Sequence, residues 1–263
     1  MEDRLDIAFE NHIARVTLNR AEKYNALDLP MFRALDDAAT MLAARRDVRA
    51  VVLTGAGRGF CAGIDVKAFM HQPDLARQLI EKADGETANL AQRVGIAWQE
   101  VPVPVIAALH GNVFGGGLQV ALGADIRLIA GDTQMSIMEI KWGLVPDMSG
   151  TQTLKNLVGL DVCKELTFTG RTVAADEAVR LGLATRICED PLAAAIQLAQ
   201  EIAARSPDAI RAAKRLLNAA WHADTGLGLK LEAEAQMGLI GRPNQLEAVR
   251  ANFEKRAPDF ADG

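Results

Sequence analysis

The run His110-Gly111-Asn112-Val113-Phe114-Gly115-Gly116-Gly117-Leu118-Gln119 constrains this chain more than any other stretch, because three consecutive glycines stand where an apolar strand gives way to an apolar helix. Val105-Ile106-Ala107-Ala108-Leu109 leads in, and Leu118, Val120, Ala121 and Leu122 follow. The first N–H groups of a helix lack internal partners and carry partial positive charge. Glycines there let a ligand approach bare backbone, which suits the run to holding a developing negative charge. Gln119, which closes it, cannot act as a base at neutral pH.

The rest of the chain reads as an α/β fold. Strand-type runs cover 7–9, 13–18 and 50–54, and a helical pattern over 29–44 brings Leu35, Ala38, Ala39 and Leu42 to one face. A second round pairs 105–109 and 126–130 around the glycine-led helix, and a third runs from Met135 through a helix near 151–158. Strands separated by helices favour parallel pairing. Past Asp190 the pattern is wholly helical: 191–205, a new helix at Ser206-Pro207, then 227–240 and 244–255. The division this suggests is an α/β core over 1–190 and a helical subdomain over 191–263, whose apolar faces suit self-association.

Composition excludes several classes. A chain of 263 residues, 49% hydrophobic, can bury a large core. A net charge of −5, from 29 basic and 34 acidic residues, carries no footprint for nucleic acid. Cys61, Cys163 and Cys188 have no CxxC spacing, which argues against a disulfide framework or zinc and for a reducing cytoplasm. The opening Met1-Glu2-Asp3-Arg4 is acidic, and no run approaches the ~18 apolar residues of a membrane helix. His12, His71, His110 and His222 show no ligand spacing, so no metal is expected.

Some apparent motifs dissolve on reading. Thr54-Gly55-Ala56-Gly57-Arg58-Gly59-Phe60 fails as a dinucleotide fingerprint, since Phe60 stands where the third glycine belongs. Cys61 has no histidine nearby in sequence and reads as a packed thiol. Ser149 lies outside any G-x-S-x-G elbow and reads as a helix cap. Two carboxylates remain. Glu139, between Met138 and Ile140, either pairs with a base for structure or has the raised pKa that proton transfer needs. Asp147 either joins it or caps the helix begun near Ser149.

Together these pieces resemble the crotonase, or enoyl-CoA hydratase/isomerase, superfamily. The likeness runs through Thr17-Leu18-Asn19-Arg20, Asn25-Ala26-Leu27, Val51-Val52-Leu53-Thr54-Gly55, Phe60-Cys61-Ala62-Gly63-Ile64-Asp65, Pro104 to Ala108 before the triple glycine, and Gly150-Thr151-Gln152. It continues in Leu166 to Arg171, Ala174 to Glu177, Gly182-Leu183 and Glu254-Lys255-Arg256. The resemblance implies a spiral of ββα units, a helical C-terminal trimerisation region, and a homotrimer or dimer of trimers. It also implies acyl-CoA thioesters as substrates, with coenzyme A entering as part of the substrate and no separate cofactor.

The same resemblance maps an oxyanion hole onto the backbone N–H groups of Ile64 and Gly116. It lays Lys23, Ala62, Asp65 and Lys67 along coenzyme A, together with Lys255 of a neighbouring subunit. Hydratases of the family use two glutamates; the second matches Glu139, but the first falls at Gln119, which cannot accept a proton. Dienoyl-CoA isomerases carry a glutamate matching Glu139 and an aspartate matching Asp147, while their other aspartate falls at Gln119. An isomerase moving a proton through Glu139 with Asp147, and with Gln119 orienting substrate or water, is therefore expected. A hydratase with an incomplete glutamate pair and a non-catalytic acyl-CoA-binding protein are the alternatives. Met70, Phe69 and Trp142 suit either an acyl pocket or core packing.

Overall fold

The computed structural model describes residues 4–70, 73–82 and 84–262. His71 and residues 1–3 of the acidic opening lie outside them. In chain order the strands are β1 (Leu5–Glu10), β2 (Ile13–Leu18), β3 (Ala50–Gly55), β4 (Val105–Leu109) and β5 (Asn112–Phe114). They continue with β6 (Ile126–Ile129), β7 (Gln134–Ser136), β8 (Val173–Ala174) and β9 (Arg186–Ile187). A six-stranded sheet has the order β1-β2-β3-β4-β6-β9, and a three-stranded sheet the order β5-β7-β8.

β1 and β2 form an antiparallel hairpin whose turn residues, Asn11 and His12, both have positive φ, as a two-residue turn between twisted strands requires. From β2 onward the large sheet is parallel. Every residue of β3 and β4 is buried, the signature of a parallel sheet covered on both faces. Alternation along the strands divides the core. Val51, Leu53, Val105, Ala107 and Leu109 face the larger cluster, which includes Phe32, Leu35, Ala38 and Leu42 of the helix Leu29–Ala44. Ala50, Val52, Ile106 and Ala108 face Ala195, Ala199 and Ala203 of the helix Pro191–Ala203.

The chain alternates between the sheets as it advances. β4 passes to β5 and then the helix Gly116–Leu122; β6 passes to β7. The turn before follows the same course, since Cys61, beyond β3, bridges Val113 of β5. This is the expected spiral of ββα units. Its short inner strand, β5, is absent from the periodicity, where 112–114 reads only as the approach to a helix.

The helix Pro191–Ala203 is a layer of the core, so residue 190 does not part the hydrophobic interior. The helices Pro207–Ala220, Thr225–Met237 and Pro243–Glu254 stand outside that layer. Lys214 ties the first of them down, its Nζ donating to the carbonyls of Trp98 and Val103 and to Asp125. Thr225–Met237 buries no residue, and its Leu227 and Leu229 are exposed. The helix expected over 151–158 is shorter, Gly150–Leu154.

Candidate active site

Each glycine of the triple run answers a different demand. Gly115, with φ 51° and ψ −120°, sits in a backbone region closed to other residues and turns the chain out of β5. Gly116 is the first helical residue, so its N–H has no partner inside the helix. A Cβ there would lie 2.7 Å from Met148 Sδ and 3.0 Å from Leu27 Cδ1. Gly117 rests on Cys61: a Cβ would meet its Cβ and carbonyl oxygen at 2.6 Å and its Sγ at 2.8 Å.

Opposite this helix start lies the 60–65 loop, fastened on two sides by backbone pairing. Cys61 N–H donates to Asn112 O and Cys61 O accepts from Phe114 N–H, which fastens the loop to β5. Leu27 N–H then donates to Gly63 O, and Asp65 N–H to Leu27 O. In such a parallel bridge the groups of the central residue point away from the partner strand, so Ile64 N–H faces away from Leu27. No backbone or side-chain acceptor takes it among the described residues. Gly63, at φ 91°, brings the loop so close that a Cβ on it would lie 3.5 Å from Gly116 N. Two unengaged N–H donors thus come from backbone segments packed against each other. Such a pair can stabilise negative charge on a carbonyl oxygen.

Side chains brace the loop from behind. Asn25 Nδ2 donates to the carbonyls of Ala56, Gly59 and Phe60, and its Oδ1 accepts from Arg20 N–H. Arg20 Nη1 donates to Ala26 O and, at 2.9 Å, to Asp65 Oδ2. Burial alone would raise the Asp28 carboxyl, but hydrogen bonds from Arg4 and Met31 N–H, with Arg20 nearby, hold it below the usual range. The motifs around residues 17–28 therefore serve chiefly to place residues 60–65.

Gln119 and the two carboxylates come from three elements. Gln119 lies on the helix Gly116–Leu122, Glu139 opens the short 3₁₀ turn Glu139–Trp142, and Asp147 precedes the helix Gly150–Leu154. Gln119 Oε1 accepts from Met148 N–H at 2.9 Å and Gly150 N–H at 2.8 Å. Those two donors fix the amide, so Nε2 donates to Glu139 Oε1 at 2.6 Å. Glu139 is 7% exposed, and its Oε2 is buried without a partner among the described residues. Burial raises the Glu139 pKa above its usual value, and the charge of Asp147 adds to the rise against hydrogen bonds from its own N–H and Gln119. The surrounding protein raises Asp147 as well, although that residue is exposed and solvent screens the effect.

Ala62 is part-buried, donating its N–H to Tyr24 O, and Asp65 is committed to Arg20 and to capping the helix Val66–Met70 through Ala68 N–H. Lys23 and Lys67 are exposed on short helical turns near this loop. Lys255, at φ 54°, ends the helix Pro243–Glu254. Phe69 packs edge-on against Phe32, whereas Met70 and Trp142 are exposed, so core packing explains only the first. Ser149 stands at the cap position, but its hydroxyl donates to Met148 O; Gln119 accepts from the helix start instead. His110 bonds to Gly57 O, and no metal-binding group of His, Cys, Asp or Glu occurs among the described residues.

Cys61 is fully buried with its Sγ 3.0 Å from Asn25 O, and burial pushes its thiol up to about 12. It is no nucleophile at neutral pH. Iodoacetamide at about pH 8 is expected to leave it unmodified in the folded protein and to label it after denaturation; mass spectrometry of the peptide distinguishes the two.

Gly95 carries no mark in the sequence motifs, and Gly150 stands there only as part of Gly150-Thr151-Gln152, yet both are sterically constrained. A Cβ on Gly95 would strike Met148 O and Ser149 Oγ, and one on Gly150 would lie 2.5 Å from Gln119 Oε1. A lone glycine inside the apolar helical stretch 90–100 is the signal that would have found the first.

The family pattern of enoyl-CoA hydratase/isomerase matches residues 8–263. The mitochondrial Delta(3,5)-Delta(2,4)-dienoyl-CoA isomerase of Mus musculus is 32% identical, over 94% of this chain and 78% of that protein. The short-chain-enoyl-CoA hydratase of Clostridium acetobutylicum is 31% identical, over 94% of this chain and 93% of that protein. A crystal structure of an enoyl-CoA hydratase from Bacillus anthracis superposes with a TM-score of 0.89 at 29% identity, covering 99% of this chain and all of that one. No helix among the described residues is long and apolar enough to cross a membrane. The backbone course, the paired N–H donors and these likenesses agree: the chain belongs to the enoyl-CoA hydratase/isomerase family, the crotonase superfamily.

Proposed function

We propose that this protein is an enoyl-CoA or dienoyl-CoA isomerase acting on acyl-CoA thioesters, with Glu139 as the proton-transfer group and Asp147 assisting. The observation that carries this reading is the state of Glu139: one carboxylate oxygen held by Gln119, the other buried and unengaged. The thioester oxygen accepts from Ile64 N–H and Gly116 N–H. Glu139 Oε2 removes a proton from a carbon activated by that carbonyl, and the electron pair moves into the enolate stabilised at the oxygen. The proton returns to another carbon of the conjugated system from Glu139 or Asp147. The double bond migrates, and no water is consumed. Gln119 cannot supply the second base that hydration with a glutamate pair requires.

The test is a panel of 2-enoyl-, 3-enoyl- and dienoyl-CoA substrates, followed by chromatography of isomers and 3-hydroxyacyl products. Isomerisation that depends on Glu139 supports the reading; efficient hydration surviving Glu139→Gln overturns it. Binding of the thioesters without turnover supports a non-catalytic acyl-CoA-binding protein.

A soluble cytoplasmic homotrimer or dimer of trimers is part of the same proposal. Leu217, Trp221, Met237, Ile240 and Phe253 leave apolar surface exposed on the outer helices and the turns that follow them, which supports self-association. In such an assembly Lys255 reaches a neighbour's coenzyme A. Sedimentation equilibrium is expected to return three or six times the chain mass, and a monomer at micromolar concentration would rule the assembly out.

A further inference from the structure

We propose that Gln119 is a positioning residue that bridges the two carboxylate-bearing segments: it makes Oε2 the sole proton-exchanging atom of Glu139 and sets that atom's placement relative to Asp147. The inference rests on the proton-transfer reading of Glu139. Gln119 is 2% exposed, and its amide is engaged at both ends. One end accepts from Met148 N–H, the residue next to Asp147, and from Gly150 N–H. The other donates to Glu139 Oε1. Because two backbone donors forbid the flipped amide, Oε1 faces an N–H in both protonation states of Glu139. A proton on Glu139 must therefore reside on Oε2, the atom left without a partner.

The close approach at Gly150 keeps room for this bridge: a Cβ there would lie 2.5 Å from Gln119 Oε1. A carboxylate at position 119 would set oxygen against oxygen at the present 2.6 Å separation, which requires a shared proton. Gln119 contributes geometry and a fixed donor, and it exchanges no proton itself.

Gln119→Glu separates the two halves of the bridge, since it keeps an acceptor for Met148 N–H and Gly150 N–H but replaces the fixed N–H donor to Glu139 with one shared, titratable proton. Its Tm and KM are expected to stay near those of the unsubstituted protein, while kcat for isomerisation falls at least about tenfold. In ligand-free protein, ¹³C NMR should show the Glu139 carboxyl titrating at higher pH in this variant. Unchanged kcat and unchanged titration would mean that Gln119 only anchors the 148–150 loop, and the proposal fails. Gln119→Leu, which loses both ends, should lower Tm as well as kcat.

A measurement on the unsubstituted protein covers misfolding of either variant. The Gln119 side-chain ¹⁵N amide resonance should move with the Glu139 titration and exchange slowly with solvent. An amide indifferent to that titration overturns the bridge. Should Glu139→Gln leave turnover intact while the amide still tracks Glu139, the functional reading fails and the hydrogen-bonded bridge stands.

Discussion

Glu139→Gln is expected to lower kcat for isomerisation by ~10²–10⁴-fold, with KM changed little, because the variant keeps the shape of the site and loses only its proton-exchanging oxygen. The pH profile should change with it. As the base, Glu139 must be ionised, so its raised pKa places the acid limb of kcat/KM at higher pH than an ordinary carboxylate would. The residual activity of the variant should lack that limb.

Stability should move the other way. A carboxyl whose folded pKa lies above its unfolded value binds its proton more tightly when folded, so its contribution is full below the ordinary value of 4.5 and declines as pH rises through the shifted one. Glu139→Gln removes that decline. Relative to the unsubstituted protein, its Tm should be higher at about pH 8, with the difference vanishing below about pH 4. An equal difference at both ends would show that burial of the charge is not what strains the site. A stability cost at a reactive group is a common companion of activity.

Gly117→Val is expected to abolish the folded site. The backbone of Gly117 has an ordinary negative φ, so the conflict is purely steric: a Cβ would overlap the side chain and carbonyl of Cys61, both fully enclosed. Overpacking by even one methyl group costs about 1–3 kcal/mol, and valine adds two more carbons against the same wall. The loop of Ile64 would have to separate from the helix start, taking one N–H donor from the other. Thermal denaturation should show Gly117→Ala losing about 2–4 °C per kcal/mol, with Gly117→Val poorly soluble or unfolded. Cys61→Gly should rescue the alanine variant only partly, since the Cys61 carbonyl oxygen remains 2.6 Å from the new Cβ. A valine variant as stable as the parent would mean that the loop and helix are not in contact.

Local sequence carried the large-scale fold because each long element follows one strong rule. The helix Leu29–Ala44 buries its apolar stripe, with Asp28 accepting from Met31 N–H and Pro30 in the first turn. Strands β3 and β4 are continuous apolar runs, and Asp190-Pro191 and Ser206-Pro207 open two helices in the manner their cap residues imply. Three-residue strands leave no such mark. β5 exists because β7 lies beside it and Cys61 bridges it, and neither neighbour is near in sequence. Likewise the Asp65 carboxylate pairs with Arg20, a partner 45 positions away that no local pattern announces.

What the sequence determined by itself was a negative-charge-holding turn of three glycines, an α/β chain around it, and an isolated carboxylate at Glu139 beyond a glutamine that is no base. Those follow from residue type and short-range periodicity. Only the tertiary structure decided that Gln119 faces Glu139, that Asp147 lies close enough to raise its pKa, and that the loop at Gly63 packs against the helix start at Gly116. The reason is physical: hydrogen bonds and desolvation act over a few ångströms of space, whereas Gln119 and Glu139 are 20 positions apart along the chain and the Ile64 loop lies farther still from the glycine helix.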